Sequence, residues 1–271
     1  MGKNYEMKFS VITINYNNCD GLRSTIESVV KQTCTNYEYI LIDAESTDGS
    51  VDVIEEHASQ IDYWVSEKDR GIYHAMNKGV AQAHGHYCIF MNSGDCFYDD
   101  KVLERVSKAD CKEDIIVGKV VIDNKRTIIS PPPLSGELSL YHLYSGSIPH
   151  QGSFIRTDLL RKYPYDESLK ISSDWKFFVQ TLIIDNCSLR YIEDYVAMYD
   201  MNGLSAENPT LMREEKEMVL RSLFPARVLV DYQWMKQSEC LTQTLTPQLR
   251  KCYGIDRILY RIGKFLLAIK R

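Results

Sequence analysis

The sequence lacks the marks of several common protein classes. Its 271 residues contain no uninterrupted apolar stretch near the roughly 20 residues that span a bilayer, so the body of the chain is not expected to cross a membrane. The N-terminus lacks the basic region, apolar run and small-residue cleavage site of a secretory signal, which predicts a cytoplasmic protein. A formal net charge of −5 argues against a dedicated nucleic-acid binder.

The sequence also lacks the patterns of zinc ribbons, internal repeats and P-loops. The eight cysteines have no CxxC spacing, and scattered cysteines suit reduced packing residues better than a disulfide framework or a zinc ribbon. No internal repeat of about 20 to 50 residues is present. The absence of a glycine-rich P-loop disfavours a nucleotidyltransferase that binds a nucleoside triphosphate.

Short apolar runs alternate with segments of helical periodicity over the first part of the chain. Strands are predicted at 8–14, 37–42, 61–66 and 87–91, and helices between them at 21–32, 50–58 and 72–83. This alternation predicts an α/β fold with a mainly parallel central sheet and helices on its faces. In such folds, ligands bind beyond the carboxyl ends of the strands.

The later part of the chain predicts a departure from simple parallel repetition. Residues 115–122 and 127–130 are predicted to form a hairpin, and Pro131-Pro132-Pro133 marks a stiff connection. We expect a catalytic domain at 1–208 and a helical extension at 209–271.

Six motifs follow one another in an informative order. They are VITINYN, LIDAESTDGS, SEKDRGIYHAMNKG, YCIFMNSGD, HQGSF and SSDW, within residues 8–205. Together they resemble the inverting family 2 glycosyltransferases with a GT-A, Rossmann-like fold, which transfer sugars from nucleotide diphosphate donors. The resemblance implies a nucleotide-sugar-binding α/β domain followed by a C-terminal helical extension.

The resemblance also implies a donor site. Its residues are Thr13, Asn15, Tyr16, Asp43, Asp69, Arg70, Ser93 and Gly94. Hydroxyl, amide and carboxylate groups can read a base or ribose, an aromatic ring can stack on a base, and a guanidinium can approach a diphosphate. The alternatives are turn formation by Asn15, helix capping by Asp43, and a surface ion pair at a helix start for Asp69 and Arg70.

The segment Asn92-Ser93-Gly94-Asp95 is a degenerate form of the DxD region of this family. Asp95 aligns with its final carboxylate and is the candidate ligand for Mn²⁺ or Mg²⁺. Water and both phosphates of the donor could complete the coordination shell of that ion. Asn92 and Gly94 stand where other members often carry aspartates, so metal independence is left open. The alternative is a turn at a strand end that Asp95 caps.

Asp174 of the SSDW motif is the candidate general base. The resemblance implies that it removes the proton of the acceptor hydroxyl as that oxygen attacks the anomeric carbon. It could instead cap the following helix. His150, Gln151 and Trp175 are candidate acceptor or phosphate contacts, with structural roles as their alternatives. A loop at 200–205 could close over the donor or form an ordinary turn.

The C-terminal segment 250–271 reverses the charge of the chain. It has seven basic residues and one acid, a net +6, whereas the rest of the chain has 25 basic and 36 acidic residues, a net −11. Its apolar positions have helical spacing, which fits an amphipathic helix on anionic lipid or a helix packed against protein.

The combined expectation is a peripheral-membrane or cytoplasmic glycosyltransferase. It would transfer a hexosyl or N-acetylhexosaminyl group from a UDP-sugar to a saccharide or lipid-linked acceptor in surface polysaccharide synthesis. A catalytically weakened nucleotide-sugar-binding protein is the alternative, and the sequence leaves a homo-oligomer open.

Overall fold

The computed structural model describes residues 9–122, 127–129, 138–200 and 208–238. The turn at 123–126, the prolines at 131–133, the loop at 201–205 and the tail at 250–271 lie outside the described residues. The chain divides into two compact units between Val219 and Leu220, and the sheet and cavity described below belong to the first unit. The predicted boundary after residue 208 stays a prediction.

The described strands form one sheet with helices from the intervening segments. The strands are β1 Phe9–Asn15, β2 Tyr37–Asp43, β3 Tyr63–Ser66, β4 Tyr87–Phe90, β5 Cys96–Phe97, β6 Ile115–Ile122, β7 Thr127–Ile129, β8 Ser153–Arg156 and β9 Leu189–Tyr199. The helices are α1 Cys19–Val30, α2 Ser50–Glu56, α3 Ile72–Gln82, α4 Val102–Lys108, α5 Leu140–Ser145, α6 Thr157–Lys162, α7 Ser173–Phe178 and α8 Pro209–Leu223. A π-helical segment, Val179–Ile184, continues α7. None of the described helices is long and apolar enough to cross a membrane.

The first half of the sheet is parallel, and the second half is mixed. The strand order is β3-β2-β1-β4-β8-β6-β9-β5, with β7 paired to β6. Strands β1 to β4 pair in parallel, whereas β8 is antiparallel to both β4 and β6. The α/β alternation is therefore confirmed, and so is the hairpin, since β6 and β7 pair antiparallel.

Helices cover the apolar sheet because their buried residues recur at helical spacing. Helix α1 buries Leu22, Ile26 and Val29 on one face. It begins two residues before the predicted start because the Asn18 side chain accepts a hydrogen bond from the Gly21 amide at 3.2 Å and caps the helix. Helix α3 packs closely on β1, since a Cβ added at Gly79 would lie 2.4 Å from Cγ2 of Ile12.

The parallel register brings the ends of three strands together. Asn15 pairs with Asp43, and Asp43 pairs with Ser66 across β1, β2 and β3. The loops after β1, β3 and β4 then line a common cavity at this edge of the sheet, as expected for an α/β fold.

Candidate active site

A large cavity lies at the carboxyl ends of the parallel strands. Its volume is about 1260 Å³, above the roughly 300–1,000 Å³ of common small-ligand pockets. The predicted site residues in its wall are Asn15, Tyr16, Asp69, Arg70, Ser93, Asp95, His150, Gln151, Asp174 and Trp175. The structure therefore brings the donor, metal and base candidates to one space with room for two substrates.

Thr13 and Asp43 lie behind this wall and are fully buried. The Thr13 hydroxyl donates to the carbonyl oxygen of Met91 at 2.7 Å and lies 3.0 Å from the hydroxyl of Tyr39. These contacts join β1 to its neighbouring strands. The geometry therefore gives Thr13 a bracing role and does not bring it to the donor cavity.

Both carboxylate oxygens of Asp43 are occupied by protein donors. Oδ1 accepts from Nδ2 of Asn15 at 2.7 Å and from the Ser46 hydroxyl at 2.6 Å. Oδ2 accepts from the Ser46 amide at 2.9 Å and from the Ser66 hydroxyl at 2.6 Å. The side chain thus holds the loop after β2 against the ends of β1 and β3. This geometry favours a structural role for Asp43 over direct contact with the donor.

The Asn92-Ser93-Gly94-Asp95 turn follows β4 and depends on its glycine. Gly94 has φ +103°, and a Cβ there would lie 2.8 Å from Oδ2 of Asp200. The Gly94 amide donates to the Thr25 hydroxyl at 3.0 Å, which ties the turn to α1. Gly94 therefore shapes the turn from behind, and Ser93 and Asp95 reach the cavity wall.

Asp95 is a buried carboxylate with only 4% of its surface exposed. Its Oδ1 accepts the Asp200 amide at 3.0 Å. Burial raises the pKa of the Asp95 carboxyl to about 6, against the opposing effects of His150, the Asp200 amide and the Gln151 side chain. The charge of the Asp200 carboxylate raises that pKa further. A cation near Asp95 would therefore relieve an unfavourable buried charge.

The residues around Asp95 fit a metal only in part. Mg²⁺ and Mn²⁺ take oxygen ligands, and sites that bind a diphosphate commonly use one or two carboxylates. Asp95 supplies one carboxylate, and the buried Oδ1 of Asn92 has no hydrogen-bond partner within the described residues. Over the same residues, no group of three His, Cys, Asp or Glu side chains is arranged to hold a metal.

Asp174 is the second residue of α7, and its carboxylate is held on both oxygens. The Tyr73 hydroxyl donates to Oδ1 at 2.9 Å, and Nδ1 of His150 lies 3.2 Å from Oδ2. Burial acts to raise the pKa of the Asp174 carboxyl, but the contact with His150, its charge and the Tyr73 hydrogen bond outweigh burial and lower it. The side chain remains 18% exposed. Asp174 is thus an ionised, oriented carboxylate on the cavity wall.

The dipeptide His150-Gln151 links the two carboxylates. His150 contacts Asp174, and the Gln151 side chain hydrogen-bonds to Asp95. Nε2 of His150 lies 3.2 Å from Nδ2 of Asn92, which adds a contact to the turn after β4. The dipeptide therefore connects the candidate base to the candidate metal ligand.

Trp175 has a packing role as well as a place in the cavity wall. It is 2% exposed, and its indole N–H donates to the carbonyl oxygen of Leu143 at 2.8 Å. The Lys216 ammonium lies 4.9 Å from the centre of its ring. Both arrangements fix the ring beside Asp174.

Asp69 and Arg70 show the local contacts that their alternative interpretation expects. Oδ1 of Asp69 accepts the Gly71 amide at 2.8 Å, at the start of α3. Arg70 forms an ion pair with Glu167 at 2.5 Å, but 69% of its side chain is exposed. Tyr16 is also largely exposed at the cavity wall, with 65% of its surface accessible.

Sequence reasoning did not place three residues among those of the site, although Asn92 belongs to the turn after β4 and Asp200 begins the loop at 200–205. Tyr73 contacts Asp174, Asn92 contacts His150, and Asp200 contacts Asp95. Tyr73 was hidden within a helical pattern, since its partner lies 101 positions away along the chain. Tyr73 belongs to the same motif as Asp69 and Arg70, and this was the one sequence signal for its place in the site.

Comparison with known proteins identifies the family. A model described as glycosyl transferase family 2 matches residues 10–160, more than half of the chain. An uncharacterised glycosyltransferase of Mycobacterium tuberculosis is 31% identical over 210 residues, which covers 73% of this chain and 76% of the relative.

Two solved structures share the fold. TarS from S. aureus, in complex with UDP-GlcNAc, matches 79% of this chain and 65% of its own with a TM-score of 0.65 and 21% identity. The mannosyltransferase PcManGT from Pyrobaculum calidifontis, in complex with GDP-Man and Mn²⁺, matches 77% and 61% with a TM-score of 0.58 and 16% identity. The chain spans less than two thirds of each solved protein. These likenesses confirm the predicted GT-A α/β fold, and the chain belongs to glycosyl transferase family 2 as a transferase enzyme.

Proposed function

We propose that this glycosyltransferase transfers a hexosyl or N-acetylhexosaminyl group from a UDP-sugar with inversion of the anomeric configuration. The acceptor would be a saccharide or a lipid-linked saccharide in surface polysaccharide synthesis. One observation carries the proposal: Asp174, ionised and held by Tyr73 and His150, lines the same cavity as Asp95. That arrangement would supply a base for the acceptor hydroxyl and a carboxylate for a cation beside the donor diphosphate.

The proposed reaction is a single displacement. Asp174 accepts the proton of the acceptor hydroxyl while that oxygen forms a bond to the anomeric carbon, and the bond from this carbon to the diphosphate oxygen breaks. Attack from the face opposite the leaving group inverts the anomeric centre. The lowered pKa of Asp174 keeps the carboxylate ionised near neutral pH and able to accept the proton. Because the acceptor oxygen displaces the diphosphate directly, the proposed reaction has no covalent sugar intermediate.

The donor half is proposed from the wall residues. Asn15 and Tyr16 would meet the base, and Arg70 and Ser93 would approach the diphosphate, with Asp69 holding the loop that presents Arg70. Thr13, Asp43 and Gly94 would act indirectly by fixing the strand ends and turn. TarS in complex with UDP-GlcNAc supports the donor class, whereas PcManGT with GDP-Man is the reason to test other bases.

Asp95 is the residue proposed to hold Mn²⁺ or Mg²⁺. When bound, such an ion would offset the charge that develops on the leaving diphosphate. The raised pKa of Asp95, its place in the cavity wall and the Mn²⁺ complex of PcManGT support this part of the proposal. Gln151 would orient the carboxylate through its hydrogen bond.

The acceptor half is proposed around Asp174. His150 orients the base, while Trp175 and α8 residues such as Leu211 form the adjoining wall. Peripheral membrane contact through residues 250–271 is proposed as the means of access to a lipid-linked acceptor. Deleting these residues should reduce partition onto anionic liposomes, and unchanged partition would exclude that contact.

A donor panel tests the function. The full chain is incubated with UDP-, GDP- and dTDP-sugars and a panel of saccharide acceptors, with Mn²⁺, Mg²⁺ or EDTA, and nucleotide release and product configuration are measured. We expect a UDP-sugar to be consumed and an inverted anomeric configuration in the NMR spectrum of the product. A retained configuration would overturn the mechanism. Tight nucleotide-sugar binding without transfer across the panel would favour a weakened binding protein, which the Asn92 and Gly94 replacements make a specific alternative.

A further inference from the structure

Helix α8 places a buried carboxylate against the segment that leads into the candidate base. Oε1 of Glu215 accepts the Lys170 amide at 2.6 Å, and Oε2 accepts the amides of Ile171 at 3.0 Å and Ser172 at 2.9 Å. Glu215 is 6% exposed and is not part of the cavity wall. It therefore contacts the backbone before Asp174 without facing a substrate.

Glu215 satisfies the three backbone amides that lead into α7. Ser172 precedes α7, and its side chain makes no capping hydrogen bond to that helix. The Ser172 hydroxyl instead donates to the carbonyl oxygen of Met212 in α8 at 3.4 Å. Hydrogen bonds to a charged acceptor are stronger than neutral ones, and a buried carboxylate requires such partners. Glu215 and the 170–172 backbone thus stabilise each other.

The neighbouring residue of α8 fixes the other side of the base. Lys216 lies over the ring of Trp175, the residue directly after Asp174, and donates to the carbonyl oxygen of Gly146 at 3.2 Å. These two consecutive residues of α8 therefore contact the chain on both sides of Asp174, at residues 170–172 and at Trp175.

We propose that Glu215 is a positioning residue for Asp174, through the backbone of residues 170–172. This inference rests on the proposed function, in which Asp174 is the general base. Glu215 keeps the start of α7 where the Asp174 carboxylate meets both Tyr73 and His150. A displacement of about 1 Å at a reacting group can reduce a rate by roughly 100-fold, so a small shift of this segment has a large kinetic consequence.

The test compares Glu215→Gln with Glu214→Gln. Glu214 is the exposed neighbour on the same helix, which makes it a control for the chemical change alone. In Glu215→Gln one oxygen becomes an NH₂ group that faces backbone donors. We expect kcat to fall roughly ten- to 100-fold, while the Kd for UDP stays within about two-fold, because the proposed donor residues lie on other loops. Glu214→Gln should match the wild type in both.

The pH profile separates positioning from a general structural role. If the start of α7 shifts, Asp174 loses contact with His150 and Tyr73, its pKa rises, and the acid limb of kcat moves to higher pH in Glu215→Gln. A variant that only unfolds more easily would lose active protein but keep the wild-type acid limb and kcat per folded molecule. That result, or wild-type kinetics in Glu215→Gln, would overturn the inference.

A second variant covers a failure to fold. Glu215→Asp keeps the charge on a shorter side chain, and we expect a folded protein with an intermediate kcat and an intermediate shift of the acid limb. Wild-type values in that variant would overturn the inference if Glu215→Gln is insoluble. Asp174→Asn separates the two proposals: an inactive Asp174→Asn beside a fully active Glu215→Gln contradicts only the positioning role, whereas a fully active Asp174→Asn contradicts the proposed function.

Discussion

Nδ1 of His150 lies 3.2 Å from Oδ2 of Asp174 at the wall of the cavity. When the imidazole is neutral, an Nδ1–H that donates to the carboxylate leaves Nε2 as the acceptor for the Asn92 amide, which lies 3.2 Å from it. The two contacts select one tautomer and one ring orientation. The imidazole therefore fixes the direction of the base and lowers its proton affinity.

Replacing His150 should move the acid limb of the pH profile of kcat. Burial alone raises the pKa of Asp174, and His150 is the largest of the opposing influences. In His150→Gln that pKa rises, so a smaller fraction of the base is ionised at low pH. We expect the acid limb of kcat to lie at higher pH than in the wild type, measured from about pH 4 to pH 8. His86→Gln, at an exposed position, should leave the profile unchanged. An acid limb that does not move in His150→Gln would contradict this account.

Two neighbouring tyrosines give a matched comparison. The rings of Tyr73 and Tyr165 lie 5.5 Å apart, but only the Tyr73 hydroxyl donates to Asp174, whereas the Tyr165 hydroxyl has no partner within the described residues. Tyr73→Phe leaves Oδ1 of Asp174 without this donor, and a less precisely oriented base lowers the rate, so we expect kcat to fall by about ten-fold. Tyr165→Phe removes an unpaired buried hydroxyl and should keep kcat with an equal or higher Tm. Equal kcat values in the two variants would contradict a catalytic contribution of the Tyr73 hydroxyl.

Asp174→Asn should abolish most of the transfer activity. Loss of a general base typically costs about 100- to 10,000-fold in rate. The amide keeps nearly the same shape, so the Kd for UDP should remain near the wild-type value. Single-turnover transfer and UDP titration on the same preparation measure both quantities. Full transfer activity would show that another group accepts the proton.

The part of the fold that could be predicted is the part governed by local pattern. Strands β1 to β4 have short apolar runs with helical segments between them, so these four strands and their mainly parallel pairing could be predicted from the sequence. Strand β5 has two residues, Cys96–Phe97, and was too short to produce a pattern. Strand β9 has mostly half-buried positions and no clear alternation, so it was not predicted either.

The candidate site divides in a similar way. Asp95 and Asp174 were expected in one active site because each belongs to a motif of the family resemblance, and they line one cavity. Asp43 also ends a strand, but its side chain turns toward Ser46 and Ser66. Contacts across the sheet decide that direction, and the spacing of residues along the chain contains no information about it.

Asp95→Asn should raise the Tm and lower the transfer activity. For an acid whose folded pKa is raised, stability is fullest below the unfolded value near 3.8 and falls as pH rises through the folded value of about 6. At neutral pH the metal-free wild type therefore carries a buried charge that costs about 1–3 kcal/mol. Asp95→Asn should have a higher Tm than the wild type at about pH 7 and a smaller advantage at about pH 4.

Metal addition distinguishes this effect from ordinary packing. Mn²⁺ should raise the Tm of the wild type and leave that of Asp95→Asn unchanged, because a ligand that binds only the folded state stabilises it. Transfer activity of the variant should fall and no longer respond to Mn²⁺. Metal-stimulated activity in Asp95→Asn would exclude Asp95 as the ligand, and a lower Tm at both pH values would contradict the buried-charge argument.

Asp43→Asn tests whether that residue braces the site or touches the donor. The carboxylate accepts four hydrogen bonds, and an amide would present an NH₂ group to at least one of those donors. Leaving a buried donor unpaired costs about 1–3 kcal/mol, so we expect a lower Tm together with weaker UDP binding, because Asn15 and the loop after β2 lose their support. Asp52→Asn, at an exposed position, should change neither quantity. Weaker UDP binding at an unchanged Tm would instead indicate that Asp43 contacts the nucleoside directly, since only a bracing residue links donor affinity to the stability of the strand ends.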